Sequence, residues 1–516
     1  MSSYKRNPKE IQLILFFTIL KLGIHLISNN NYGFHRDELL YMAMGEHLAW
    51  GFKEVPPFVA GTSWLSSVIF GDSVYAIRIF PVIASALIVW FAGLLVLIMN
   101  GKRLAIITTC LAMIISPAFL ASGYLLQPVV FDQLFWVLSA YLFAKYIQTQ
   151  QNTCIYLLGV SVGFGMLNKY TMAFFIVALI AGLAMSPQRK LLLNRTWIYA
   201  FFIAFLIFLP NILWQISHDL PFIAHMKELK EKQLNHINPT NFIIQILIIH
   251  ASSSIIWLSG LFYLFVSKSN KRYQFLGLSF ILLILILFIL QGKVYYSFGA
   301  FPMLFAAGGI CVQKLLNQVR PVFRYGIILL LLAPSFILIP IAIPVLKFSS
   351  ALRFFEFTTS SGLTFPVRWE DQKEHSTTQD YADMLGWEEM AQYASKAYQL
   401  IPADQLAQTT IITGNYGQAG AVLHFRSKYH LPEPVCLNSS FALWAPDSIA
   451  TRYLIIIDDS IDDISPAFGS SRKIGEINNP YAREKGTSIY LLSDPKIDIH
   501  PIYNKKRLEA LDYQQK

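Results

Sequence analysis

A polytopic α-helical membrane protein of about eleven spans, closed by a small α/β domain on the outer side, is the fold class this sequence predicts. Three observations predict it. Of 516 residues, 54% are hydrophobic and 14% charged, with a mean hydropathy of +0.47, more apolar surface than a soluble fold needs to bury. Apolar runs near the ~20 residues that a bilayer demands recur up to about residue 346. Beyond that point charges rise and apolar runs shorten into alternating helical and strand-like pieces. The net charge of +10 is that of loop lysines and arginines orienting the chain, not that of a nucleic-acid binder. Cys110, Cys154 and Cys311 lie in apolar runs and Cys436 stands alone, so neither a disulfide framework nor a cysteine zinc site is expected.

In chain order, MSSYKRNPKE precedes IQLILFFTILKLGIHLI without a small-residue cleavage site after it, which predicts an uncleaved first span. The apolar runs lie near 11–28, 74–99, 104–121, 129–147, 154–167, 171–186, 197–214, 241–266, 274–290, 297–313 and 325–346. Lys5, Arg6 and Lys9 precede the first run, and Lys102 and Arg103 follow the second. Arg189, Lys190, Arg195, Lys268, Lys271, Arg272, Arg320 and Arg324 fall on the same side, which places the N-terminus in the cytoplasm. Residues 56–70 would invert that pattern if they crossed, so they are expected to lie on the surface as an interfacial helix. The outer face then receives 29–73, 122–128, 168–170, 215–240, 291–296 and everything from 347 onward. In that last portion 387–400 reads as an amphipathic helix, and 409–413, 453–457 and 487–492 read as strands. The expected domains are 1–346 in the membrane and 347–516 outside, the second of about 170 residues, enough to fold alone.

The densest chemistry sits in residues 31–58, NYGFHRDELLYMAMGEHLAWGFKEVPPF. Asp37 and Glu38 open a helix whose Leu40, Ala43, Met44 and Leu48 recur at helical spacing, and Pro56-Pro57 stop it. The bland account is two helix-start carboxylates favoured by the macrodipole. The company of His35, Arg36, Lys53 and Glu54 on one loop favours chemistry instead. Asp132 begins the fourth run, where a charge is costly and marks function more often than structure, though it too could be a helix-start carboxylate after Pro128. Lys169 and Lys293 stand at outer turns against the positive-inside tendency, and either snorkel or meet an anionic partner at the outer leaflet. Gly414 to Gly420, GNYGQAG, has the wrong spacing for a dinucleotide fingerprint and reads as a strand-to-helix turn. A secondary reading puts acceptor recognition at that helix N-terminus.

The segment 31–58 resembles the first outer loop of GT-C glycosyltransferases of the protein O-mannosyltransferase and aminoarabinose-transferase type, bacterial family 39-like. The likeness continues through FGDSVYAIRIFP, FDQLFW, GMLNKYTM, LPNILWQISHDLPF and GKVYYSFGAFPMLFAAGG, and reaches GWEEMA and GNYGQAGAVLHF. One departure is Val55, where many relatives carry a His or Lys before the prolines; Lys53 is the candidate substitute. The resemblance implies a GT-C enzyme of the bacterial cytoplasmic membrane. Such enzymes transfer one sugar from a polyprenyl-phosphate donor to a hydroxyl of a lipid, glycan or protein acceptor, on the outer side. It implies Asp37 and Glu38 as catalytic residues, and Arg36, Lys53, Glu54, Asp132, Lys169, His218, Lys293, Tyr295 and Tyr296 as substrate-binding ones. No cofactor is expected, and dependence on a divalent metal is left open.

A carboxylate takes the acceptor proton and cations offset the leaving phosphate, so one-step displacement would invert the anomeric centre. Asp37 is the expected base. Glu38, turned ~100° from it, is expected to orient the acceptor or a partner cation, and mutating either is expected to leave the fold intact. The rivals are a lipid or sugar transporter, which would show internal repeats and matched broken spans, and a non-catalytic membrane subunit with an outer sensor domain.

Overall fold

The computed structural model describes residues 8–29, 31–232 and 238–512. Lys5 and Arg6 of the first basic cluster, and 233–237 of the outer loop, lie outside the described residues. Each expected span is helical over most of its length, but the count of about eleven is not reached by length and apolarity together. Among the described residues five helices pass on both: Pro8–Ser28, Val74–Ile98, Thr196–Ser217, Lys271–Ile289 and Val294–Leu316. Pro239–Ile248 and Ala251–Val266 make a sixth only if taken together, and they meet at 89°. The straight span expected over 241–266 is therefore broken. Ala251 sits there at φ +50, a left-handed turn that no Gly or Pro announces in the sequence. Arg103–Ile115, Asn152–Asn168, Thr171–Ala184 and Pro321–Phe336 are apolar but shorter.

Burial sorts the long helices into inner and outer ones. Val74–Ile98 and Val294–Leu316 are 78% buried over their most apolar windows, whereas Thr196–Ser217 is only 17% buried. An apolar helix left that bare needs lipid against it. The bundle centre is thus built on the second and tenth expected spans, and its rim on the first and seventh.

The segment 31–58 folds in part as predicted. The motif helix, Arg36–Glu46, ends at the His47 cap well before Pro56-Pro57 and leaves Leu48 outside it and exposed, so the prolines do not stop it. After them the chain forms Phe58–Phe70. The motif helix packs against Phe58–Phe70 on one side and against Tyr416–Tyr429, the docking helix, on the other. Leu39, Leu40 and Ala43 share one buried apolar cluster with Ala419, Val422, Trp387 and Met390.

The portion after 347 carries a four-stranded sheet in the order β1-β2-β4-β3. β1 (Thr409–Thr413) pairs in parallel with β2 (Tyr453–Asp458), and Ile411 faces Ile455. β4 (Ser488–Pro495) runs antiparallel to β2, and β3 (Phe468–Glu476) is its outer neighbour. The expected helix at 387–400 is Trp387–Gln399. β3 was not legible: FGSSRKIGE is an edge strand exposed along much of its length, so it lacks the apolar alternation of a half-buried strand. The docking helix follows β1 across the tight turn at Gly414.

Candidate active site

His35 caps the motif helix. Its ring nitrogen accepts from the Asp37 amide at 3.1 Å, while Glu38 Oε2 reaches back to accept from the His35 amide at 2.9 Å. This reciprocal capping box fixes the first turn, and it points two consecutive carboxylates in different directions.

Glu38 turns inward and is fully buried, as is Arg78. Arg78 Nη2 lies 2.6 Å from Oε2, and Nε lies 2.8 Å from Oε1. Oε1 also accepts from the Leu126 amide at 3.0 Å. The remaining Arg78 donors go to the carbonyls of Asn29 and Gly33, both at 2.9 Å. With four donors on two oxygens, Glu38 has no lone pair left for a substrate. The expectation of a catalytic Glu38 is corrected accordingly: the cation it orients is Arg78, and its work is to seat the helix. Arg78 was missed, although an arginine inside the apolar run VYAIRIFPVIA is itself a signal.

Asp37 faces the other way and is half-buried. Its Oδ1 accepts from the Tyr416 hydroxyl at 2.9 Å, and no described residue donates to Oδ2. Tyr41, one turn along, was also missed. Burial first, then the charge of Asp37, with Tyr416, Glu54 and Tyr296 also near, pushes its phenol well above the ordinary value. Those same neighbours gather Asp37, Glu54, Tyr296 and Tyr416 around the Tyr41 phenol.

Two cations stand against Tyr295 and Tyr296. Lys169 Nζ lies 4.7 Å from the Tyr295 ring and 4.5 Å from the Tyr296 ring, and Lys293 Nζ lies 6.0 Å from Tyr295. Burial pushes the Lys169 ammonium down to about 8, against the opposing pull of Asp132. Asp132 in turn accepts from the Thr171 hydroxyl at 2.8 Å. Lys53 pairs with Glu228 at 3.3 Å, and Glu54 accepts from the hydroxyls of Ser439 and Ser440. Arg36 lies 4.4 Å over the Tyr416 ring.

Of the residues read from the sequence, His218 does not join. It is exposed, stacked on Trp214 at 4.2 Å, and bonded to the carbonyl of Trp214 in its own helix. His225 is the enclosed histidine of that stretch, among Glu54, Lys53, Glu228 and Lys293. No sequence signal separates the two. Among the described residues no three His, Cys, Asp or Glu side chains gather as a metal would need.

An apolar cavity of about 730 Å³ is lined by Trp50, Phe58, Leu65, Phe80, Phe131 and Phe164. Phe131 precedes Asp132, so the greasy space reaches the helix turn that carries this carboxylate.

Residues 54–214 match the family model described as dolichyl-phosphate-mannose-protein mannosyltransferase. The chain superposes on ArnT from Cupriavidus metallidurans in the apo state with a TM-score of 0.62 and 10% identity, covering 93% of this chain and 97% of that one. The chain has the fold of ArnT. The same GT-C neighbour bound to undecaprenyl phosphate matches at a TM-score of 0.61, with equal identity and coverage. The archaeal oligosaccharyltransferase AglB from Archaeoglobus fulgidus, in complex with an inhibitory peptide and a dolichol-phosphate, matches at 0.50 with 10% identity, over 88% of this chain and 70% of that one. Comparison with curated proteins gave no match.

Proposed function

We propose that this GT-C protein transfers one sugar from a polyprenyl-phosphate carrier to an acceptor hydroxyl at the outer face of the bacterial cytoplasmic membrane. The single observation that carries the reading is a charged cluster, running from Asp37 past Tyr41 and Tyr296 to Lys169, next to an apolar cavity whose wall includes Phe131, the residue before Asp132. A prenyl phosphate has that same division between a charged head and a greasy tail. The neighbours that hold undecaprenyl phosphate and dolichol-phosphate support the same class of carrier.

In the proposed step the acceptor oxygen attacks the anomeric carbon and its proton passes to Asp37 Oδ2. The bond from that carbon to the phosphate oxygen breaks, and polyprenyl phosphate leaves with the electron pair. Lys169 and Lys293 offset the charge on the departing phosphate, with the Tyr295 and Tyr296 rings as a desolvating wall. Asp132 holds Lys169 in place. Arg36, Lys53 and Glu54 lie on the acceptor side, and the anomeric centre inverts because no covalent intermediate forms. No cofactor enters the step. The membrane portion, 1–346, supplies the base and the cations, and 347–516 forms the outer portion, with the basic loops cytoplasmic.

Mass spectrometry of envelope lipids and glycans from a deletion strain tests the activity. One glycan or lipid modification is expected to vanish and to return with the native gene, and an unchanged envelope refutes the reading. Cys436 is buried and makes a poor reporter of orientation, so Ser471, exposed on β3, serves instead. Ser471→Cys is expected to react with a membrane-impermeant maleimide on intact spheroplasts; labelling only after lysis reverses the topology.

A further inference from the structure

We infer that Tyr416, from the outer portion of the chain, positions Asp37 for proton transfer, so that the reacting site is complete only when the docking helix is seated. This rests on the function proposed above. The Tyr416 hydroxyl donates to Asp37 Oδ1 at 2.9 Å, which ties down one carboxylate oxygen and leaves Oδ2 for the acceptor. A short side chain on the first turn of a helix otherwise swings between rotamers, and an unaimed base loses rate through misplacement.

Tyr416 is itself held from three directions. It is the first residue of the docking helix, whose Asn415 cap accepts from the amides of Gly417 and Gln418 at 2.9 and 3.1 Å. The Arg36 guanidinium covers its ring at 4.4 Å. Further along the helix, a Cβ built on Gly420 would lie 2.8 Å from the Leu39 Cβ and 3.0 Å from its backbone, and one on Gly417 would lie 2.8 Å from the Arg36 side chain. The two helices touch more closely than side chains allow, which sets the depth at which the phenol arrives.

Docking does not depend on this hydroxyl. The Arg36 amide donates to the Asp383 carbonyl at 3.0 Å, Arg426 pairs with Glu46 at 2.9 Å, and the Tyr381 hydroxyl donates to the Pro340 carbonyl at 2.8 Å. Tyr381 therefore makes the same kind of contact between the two portions at a distance from the base, and is the natural control.

The experiment uses the full chain in membranes from the deletion strain, supplied in turn with undecaprenyl-phosphate-linked mannose, glucose, arabinose and aminoarabinose. Tyr416→Phe keeps the ring and its Arg36 contact and removes only the donor. Its kcat is expected to fall roughly tenfold to a hundredfold, the range for one hydrogen bond to a charged group, with KM for the carrier and the melting temperature close to native. Tyr381→Phe is expected to lower the melting temperature and leave kcat alone. Native kcat in Tyr416→Phe overturns the inference, and so do equal kcat losses in both variants, which would mean that docking is all that matters. If the native protein turns over none of the four carriers, or Asp37→Asn remains active, the underlying function fails instead. An inactive Asp37→Asn beside a normal Tyr416→Phe overturns only the positioning role.

Discussion

The motif helix has two polar faces, and they are built on opposite terms. On one, Glu38 and Arg78 are sealed from solvent and every hydrogen-bonding position on the carboxylate is taken. On the other, Asp37 keeps one oxygen without a donor among the described residues. Adjacent residues of the same charge thus hold different offices. A saturated ion pair specifies geometry, whereas an unsaturated carboxylate has a lone pair to spend on a proton. The difference teaches that reactive groups are found by what they lack.

That contrast breaks first at Asp37. Asp37→Asn preserves size and the bond from Tyr416 but cannot take a proton, so transfer is expected to drop ~10²–10⁴-fold at normal protein level. Near-native turnover would abolish the distinction between the faces. Glu38→Gln should act on the fold instead, contrary to the expectation that either change would be tolerated. Weakening one partner of a sealed ion pair costs up to about 3–5 kcal/mol when the other is left uncompensated. A large fall in melting temperature in detergent is expected, with a similar fall for Arg78→Leu. A stable but inactive Glu38→Gln would return that carboxylate to the chemistry.

Smaller effects sharpen the open face. Lys169→Met is expected to weaken undecaprenyl-phosphate binding in nanodiscs by about 1–3 kcal/mol, as for losing a charged hydrogen bond; unaltered binding would make it a lysine that merely caps a turn. His218→Ala lies off both faces and should shift neither binding nor melting by more than about 0.5 kcal/mol.

Much of this was readable before any coordinates. Apolar length located the helices, and the carboxylate pair in 31–58 pointed to the candidate site, because local patterns of period 3.6 and cap residues are written in neighbouring positions. What was not readable was long-range. Glu38 and Arg78 are separated by 40 positions and Asp37 and Tyr416 by 379, and no local pattern says which carboxylate will meet which partner. The break at Ala251 and the edge strand β3 escaped for a related reason. Each is imposed by its neighbours in space, the first without Gly or Pro and the second without apolar alternation. His218 and His225 sit seven residues apart on either side of a helix boundary, and only packing chose between them.

The close crossing at Gly417 and Gly420 has a consequence for how such a chain can change over generations. A joint that tolerates no added methyl group also tolerates no slippage: one inserted residue before the docking helix would turn it by ~100°, withdraw the phenol and bring side chains against the backbone of Leu39. The portion after 347 is therefore not an interchangeable attachment to be traded between relatives. Variation has to enter through the loops at the far edge of the sheet, while the helix that meets the motif is inherited together with it, as a matched pair.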